Sequence, residues 1–172
     1  MARIAYPDPA HYGHADLVAR IQQERGGKLL NLYKMLLHSP PLAEGWLGFL
    51  TAVRQKTDLP DRYRELVILR IAVLNGAEYE FKAHVPFALA AGIDAATIEA
   101  LRANVLPPGL GPRERAVLAY ADAMTVQVRV ADEVFDDVRG HFEERQLVEL
   151  TATIAAYNCV SRFLEALRVD RE

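Results

Sequence analysis

The chain reads as an all-α protein. Three observations predict this. Apolar residues recur at helical spacing along most of its length, the segments are punctuated by Gly, Pro and Asn, and no pair of strand-like runs joined by a hairpin signal occurs. With 172 residues, half of them hydrophobic, the chain can bury a sizeable core, and one domain over residues 1–172 is expected.

The helices follow in order. Asp16 to Gln23 places Leu17, Val18 and Ile21 on one side, and Gly26-Gly27 stops it. Lys28 to Leu37 is a second apolar segment, closed by His38-Ser39-Pro40-Pro41, where proline suits the first turn of the next helix. That third helix runs to about Gln55 with Leu42, Trp46, Phe49, Leu50 and Val53 as its apolar residues. Trp46 with Phe49, and Tyr33 with Leu36 and Leu37, read as core or as the lining of an apolar pocket, core being favoured. Asp58-Leu59-Pro60-Asp61 opens a fourth helix that is apolar nearly all round from Leu66 to Leu74, the mark of a central, buried helix. Asn75-Gly76 ends or bends it. A fifth helix spans about Ala77 to Ala91, with a kink or early stop expected at Pro86.

Gly92 then suits a helix C-terminus, and Asp94 an N-cap for a short helix to about Ala103. Leu106 to Pro112 is a linker rich in Pro and Gly. Arg113 to Val126 is helical, Asp132 caps a short helix through Val138, and Glu143 to about Leu167 forms the last long helix. A faint internal echo relates Glu65-Leu66 and the apolar run to Asn75 with Glu149-Leu150 and the run to Asn158, the spacings differing by one.

Composition excludes several classes. A net charge of −3 and the lack of any Lys/Arg stripe leave no electrostatic footprint for nucleic acid. No apolar run approaches the roughly 20 residues of a membrane span, and the first seven residues lack a signal-like apolar stretch, so a cytoplasmic protein is expected. No phosphate loop or dinucleotide fingerprint occurs, and no cofactor is expected. Cys159 is the single cysteine; it lies in an apolar helical pattern and reads as a small buried hydrophobe.

The chemistry concentrates around the fourth and fifth helices. Glu80 and His84 lie one turn apart, on a face continued by Phe87, Ala88 and Ala91. A carboxylate beside an imidazole favours the imidazolium and holds the ring in place, as general acid/base work requires. Glu65 opens the apolar stretch one helix earlier, and a tight Asn-Gly bend allows it to approach His84. Simpler readings stand beside these. His84 can be a buried histidine satisfied by Glu80, Glu65 can pair with Arg62 or Arg64, and Glu78 can pair with Lys82. The three groups are also plausible ligand types for a divalent metal, but no recognised metal motif holds them and none is assigned. His38 and His141 sit beside loop signals and read as surface or capping residues. Arg162, in an apolar helix, calls for a carboxylate: Glu165, a group on another subunit, or a substrate.

The stretch from Glu65 to His84 resembles the carboxymuconolactone decarboxylase superfamily, which includes alkylhydroperoxidase D. Thiol peroxidases of that family carry Glu, then Cys-x-x-Cys twelve residues on, then His four residues after the second Cys. Anchored on Glu65, the pattern places the histidine at His84 and the cysteines at Ala77 and Glu80. Tyr79-Glu80-Phe81-x-x-His84 instead resembles the cysteine-free branch with its Tyr-Glu-Trp-x-x-His pattern, Phe81 standing for tryptophan. The likeness is best over residues 36–92 and looser over Glu149 to Leu167, where Tyr157-Asn158 and Arg162 resemble the family's C-terminal helix.

The resemblance implies an all-α homo-oligomer (dimer, trimer or hexamer) with a pocket near the Glu–His pair, often beside a subunit interface. Alanine and glutamate form neither sulfenate nor disulfide, so thiol peroxidase chemistry is not expected. Proton transfer remains. It would be decarboxylation or a related step on a small organic acid or lactone, with His84 as proton donor, Glu80 orienting it, Glu65 as a second relay and Tyr79 supplying a hydrogen bond. The alternative is a non-enzymatic ligand-binding or assembly member of the family.

Overall fold

The computed structural model describes residues 1–8 and 13–172, and among these every regular element is helical. The helices are α1 (Ala15–Glu24), α2 (Asn31–Leu36), α3 (Pro40–Gln55), α4 (Asp61–Leu74), α5 (Glu78–Ala90), α6 (Ala95–Arg102), α7 (Pro112–Asp122), α8 (Asp132–Arg139) and α9 (Glu144–Leu167). A π-helical turn, Ala123–Gln127, continues α7. No helix of the described residues is long and apolar enough to cross a membrane.

Two compact units are distinguished. The first comprises Met1–Lys56 and Leu164–Glu172, the second Thr57–Phe163. In the first, Pro40 and Pro41 occupy the opening turn of α3, where a missing N–H costs nothing. Tyr33, Leu36, Leu37, Ala43, Leu47 and Leu50 are buried. Arg25 donates to the Tyr33 hydroxyl at 2.8 Å and to Thr51 at 3.1 Å, so these polar groups are satisfied inside that core. Burial raises the Tyr33 phenol above its ordinary range, and Arg25 opposes this. The amide of Asp170 donates to the Tyr6 hydroxyl at 2.8 Å, and Asn31 donates to the Asp170 carbonyl at 3.1 Å.

The second unit is built on α4. Val67, Ile68, Leu69 and Ile71 are fully enclosed, as a helix apolar on all sides demands. Its C-terminus is a Schellman motif: Gly76 takes φ +67°, its N–H reaches the Val73 carbonyl at 3.1 Å, and the Ala77 N–H reaches Ala72 at 2.8 Å. The bend is pinned from α9, where Asn158 and Ser161 accept from the Asn75 carboxamide at 3.1 and 2.8 Å. The two asparagines that end the echoed segments thus meet. Asn158 in turn donates to Thr125 in the π turn at 2.9 Å. Arg70 holds Asp122 with two bonds of 2.6 and 2.7 Å and Asn104 with a third of 2.6 Å. Asp94 caps α6 as expected, accepting from the Thr97 N–H at 2.8 Å.

Several expectations need correction. The helix expected from Lys28 starts at Asn31, because Gly26 and Gly27 both take positive φ and the chain runs extended at Leu30 before it coils. Pro86 neither stops α5 nor sits at its end. The carbonyl it leaves without an amide belongs to exposed Lys82, where water can serve it. The α-helix expected to run from Arg113 to Val126 gives way to the π turn at Ala123, closed by Val128 at φ +66°, an uncommon conformation for a β-branched residue. Asp132 is the first residue of α8 rather than its cap; Ala131 holds that place. Phe49 is 49% and Leu42 61% exposed, so α3 carries apolar residues outside the core, and Trp46 is half-buried. Cys159 is exposed. Tyr157, Asn158, Val160 and Ser161 take the inward positions of that turn and leave residue 159 outside.

Ile68→Ala is expected to lower the unfolding free energy by about 2–5 kcal/mol, because Ile68 is fully buried and its truncation leaves a cavity in the core around α4. Exposed Glu99→Ala should change it by less than about 0.5 kcal/mol. Urea unfolding midpoints of the two variants check this.

Candidate active site

The charged residues of α4 and α5 converge on one ring. Glu65 lies ten residues before the Asn75 bend, about 15 Å along α4, and His84 a comparable distance back along α5, about 10 Å from Ala77. The return of the chain at Gly76 brings them together. His84 Nδ1 lies 2.7 Å from Glu65 Oε2, and Nε2 lies 3.3 Å from Glu80 Oε1. The imidazole is therefore bracketed by two carboxylates, one on each nitrogen.

All three side chains are buried; His84 is 4% exposed, Glu65 2% and Glu80 5%. Such a cluster must balance its charge internally. Arg64, itself buried, approaches the second oxygen of Glu65 at 3.4 Å and pairs with Asp61 at 2.8 Å. With His84 protonated, the buried groups Arg64, Glu65, His84 and Glu80 sum to zero. Burial by itself disfavours the imidazolium, but the hydrogen bonds and charges of Glu65 and Glu80 outweigh it and raise the His84 pKa above 6.5.

Two rings complete the surroundings. Tyr157 of α9 packs edge-on against His84, 5.1 Å between centroids and 89° between planes, and is 2% exposed. Phe87, one turn beyond His84, lies 5.7 Å away and is 49% exposed. Phe87 therefore reaches both the histidine and the surface.

The structure brings Glu65, Glu80 and His84 together. Tyr79 is half-buried on α5, and helical spacing turns it about 140° from His84. The carboxylates face opposite edges of the ring and do not aim at one point; among the described residues no group of three His, Cys, Asp or Glu side chains could hold a metal ion. Glu78 pairs with Lys82 at 3.3 Å and also with Arg102 at 2.8 Å. Exposed His38 bonds the Ala5 carbonyl through Nε2 at 2.8 Å, and His141 lies half-buried, 3.9 Å from Asp137. Arg162 is exposed and donates to the Thr125 carbonyl at 3.2 Å, so the partner recorded for it is a carbonyl rather than a carboxylate. Sequence reasoning missed the place of Tyr157 against His84. The one signal was a Tyr-Asn pair inside an otherwise apolar helix.

Comparison with known proteins identifies the family. The model of the carboxymuconolactone decarboxylase family matches residues 40–123, a stretch that contains Glu65, Glu80 and His84. Uncharacterized protein YdfG of Bacillus subtilis (strain 168) is 30% identical over 106 residues, which are 60% of this chain and 72% of that protein. The chain belongs to the carboxymuconolactone decarboxylase family.

Solved structures show the same fold at lower identity. An alkylhydroperoxidase AhpD core protein from Ralstonia eutropha JMP134, described as an uncharacterized peroxidase-related protein, superposes with a TM-score of 0.81. It is 18% identical over 99% of this chain and 92% of its own. The debrominase Bmp8, a cysteine-to-alanine variant in complex with 2,3,4-tribromopyrrole, gives a TM-score of 0.81 at 18% identity, over 100% of this chain and 94% of its own. For this member of the family the all-α expectation is met.

His84→Ala is expected to destabilise the protein by about 3–5 kcal/mol, because two buried carboxylates lose their common partner. The pH dependence has a definite sign. The folded His84 pKa lies above the unfolded value of 6.5, so its contribution is fully present below 6.5 and is lost as pH rises through the folded value. Chemical unfolding at a series of pH values should show this alkaline loss in the unsubstituted protein and not in His84→Ala.

Proposed function

We propose that this family member is a proton-transfer enzyme acting on a small organic acid or lactone, with decarboxylation as the reaction class. The observation that carries the reading is the imidazole held between two carboxylates. Glu65, at 2.7 Å from Nδ1, fixes the ring and keeps it cationic. The longer 3.3 Å approach of Glu80 leaves Nε2 as the nitrogen that can exchange partners. In decarboxylation the C–C bond to the carboxylate breaks, and its electron pair moves toward the lactone carbonyl as an enolate. The Nε2 proton then passes to carbon, and water restores the imidazolium.

Glu80 supports this choice over thiol chemistry. It occupies the position of the second cysteine in the peroxidase pattern, and Ala77 that of the first. Cys159 lies two residues beyond Tyr157 on α9, which turns it about 200° away from the ring that faces His84. Substrate would reach Nε2 past Phe87, the side chain that joins the histidine to the surface.

Burial favours a second reading. At 4% exposure, His84 can serve as a structural ion cluster in a ligand-binding or assembly protein. The two readings diverge in experiment. Carbon dioxide release from gamma-carboxymuconolactone and related lactone acids should fall by about 10²–10⁴ in His84→Gln. In the unsubstituted protein it should decline as pH rises through the raised His84 pKa, since the acid form is the working one. Turnover that survives His84→Gln removes the proton-transfer role. Release from none of these acids by a folded sample, with Phe87→Ala equally silent, favours the structural reading.

A further inference from the structure

A cavity of about 150 Å³ lies at the α4–α5 bend, lined by Ala72, Val73, Gly76, Glu78, Phe81 and Arg102. None of these residues belongs to the Glu65–His84–Glu80 cluster. On α5 the cavity is met by Glu78 and Phe81, which helical spacing places about 160° and 100° around from Glu80. His84 does not line the cavity; Glu78 stands about 120° and Phe81 about 60° around α5 from it.

Its chemistry is uneven. Ala72, Val73 and Phe81 give apolar walls, and Gly76 leaves open space where a side chain would stand. At the rim, two cations share one carboxylate: Lys82 at 3.3 Å and Arg102 at 2.8 Å from Glu78 Oε1. Arg102 is itself about half exposed at this rim. Arg102 donates to Glu78 through Nη2 alone, so among the described residues its Nε and Nη1 donors have no protein acceptor. Its guanidinium also lies 5.6 Å from the centroid of the Phe81 ring. Arg70 in the same unit is different, spending three donors on Asp122 and Asn104.

We propose that this cavity binds a small organic acid, its carboxylate on the open donors of Arg102 and its apolar body against Ala72, Val73 and Phe81. The site is half-open, and its volume suits a single ring, since an enclosed apolar cavity of about 150 Å³ accepts benzene. A carboxylate matches the planar fork of arginine. Glu78 keeps its own place, because a guanidinium can serve two carboxylates through different N–H groups.

The test reads binding only, so its outcome is separate from that of the proton-transfer reading. Sodium benzoate is titrated into the full chain and followed by amide NMR, with benzamide as the neutral match. Benzoate should move the amides of Gly76, Glu78, Phe81 and Arg102 in one saturable, millimolar process, and benzamide should bind about tenfold more weakly. Arg102→Gln, an exposed substitution, should reduce benzoate affinity to that of benzamide, and Val73→Phe should block both ligands by filling the space. No saturable shift at these residues, equal binding of benzamide, or benzoate affinity within about twofold in Arg102→Gln would each overturn the assignment.

Discussion

The contact between Glu65 and His84 is the constraint on which the rest depends. It joins the second turn of the buried α4 to the middle of α5, through a bond of 2.7 Å between groups that water scarcely reaches. Neither group can be buried alone without a large penalty. Together, with Glu80 and Arg64, they form a set whose charges cancel. The Schellman turn at Gly76 and the Asn75–Asn158 bond fix the angle at which the helices return, and so set the distance on which that cancellation rests.

A buried ionic cluster of this kind is not an economical way to stabilise a helix pair. Apolar residues of similar volume often do as well or better. The proposed proton-transfer role rests on what these charges do to the ring between them. They raise the His84 pKa in a place where desolvation alone would lower it. That is the property expected of a general acid, and the same bracketing makes the bond to Glu65 an orienting one. Phe87 has a part in both accounts of the cluster, as the edge of a seal or as the passage through it.

Much of this was legible in the residues. Glu80 and His84 are one turn apart, so their pairing followed from helical geometry. The all-round apolar pattern from Leu66 to Leu74 marked α4 as central. Glu65 was legible as a candidate but its distance was not, since that depends on how the bend at Asn75-Gly76 directs α5. Tyr157 was beyond reach for a similar reason: it comes from a helix more than seventy positions later in the chain. The exposure of Cys159 and Phe49 was misjudged because composition shows that a helix is apolar, whereas the facing of each residue depends on neighbours elsewhere. The π turn at Ala123–Gln127 has no local signal at all; it is visible only through its Thr125 bond to Asn158 and the positive φ at Val128.

Side-chain nitrogen NMR of His84 across a pH series tests the central claim most directly. A ring clamped by Glu65 and Glu80 should lose its second ring proton only at a pH above 6.5, and Glu65→Gln should bring that transition down. A neutral His84 at pH 7, titrating below 6.5 and indifferent to Glu65→Gln, would contradict it.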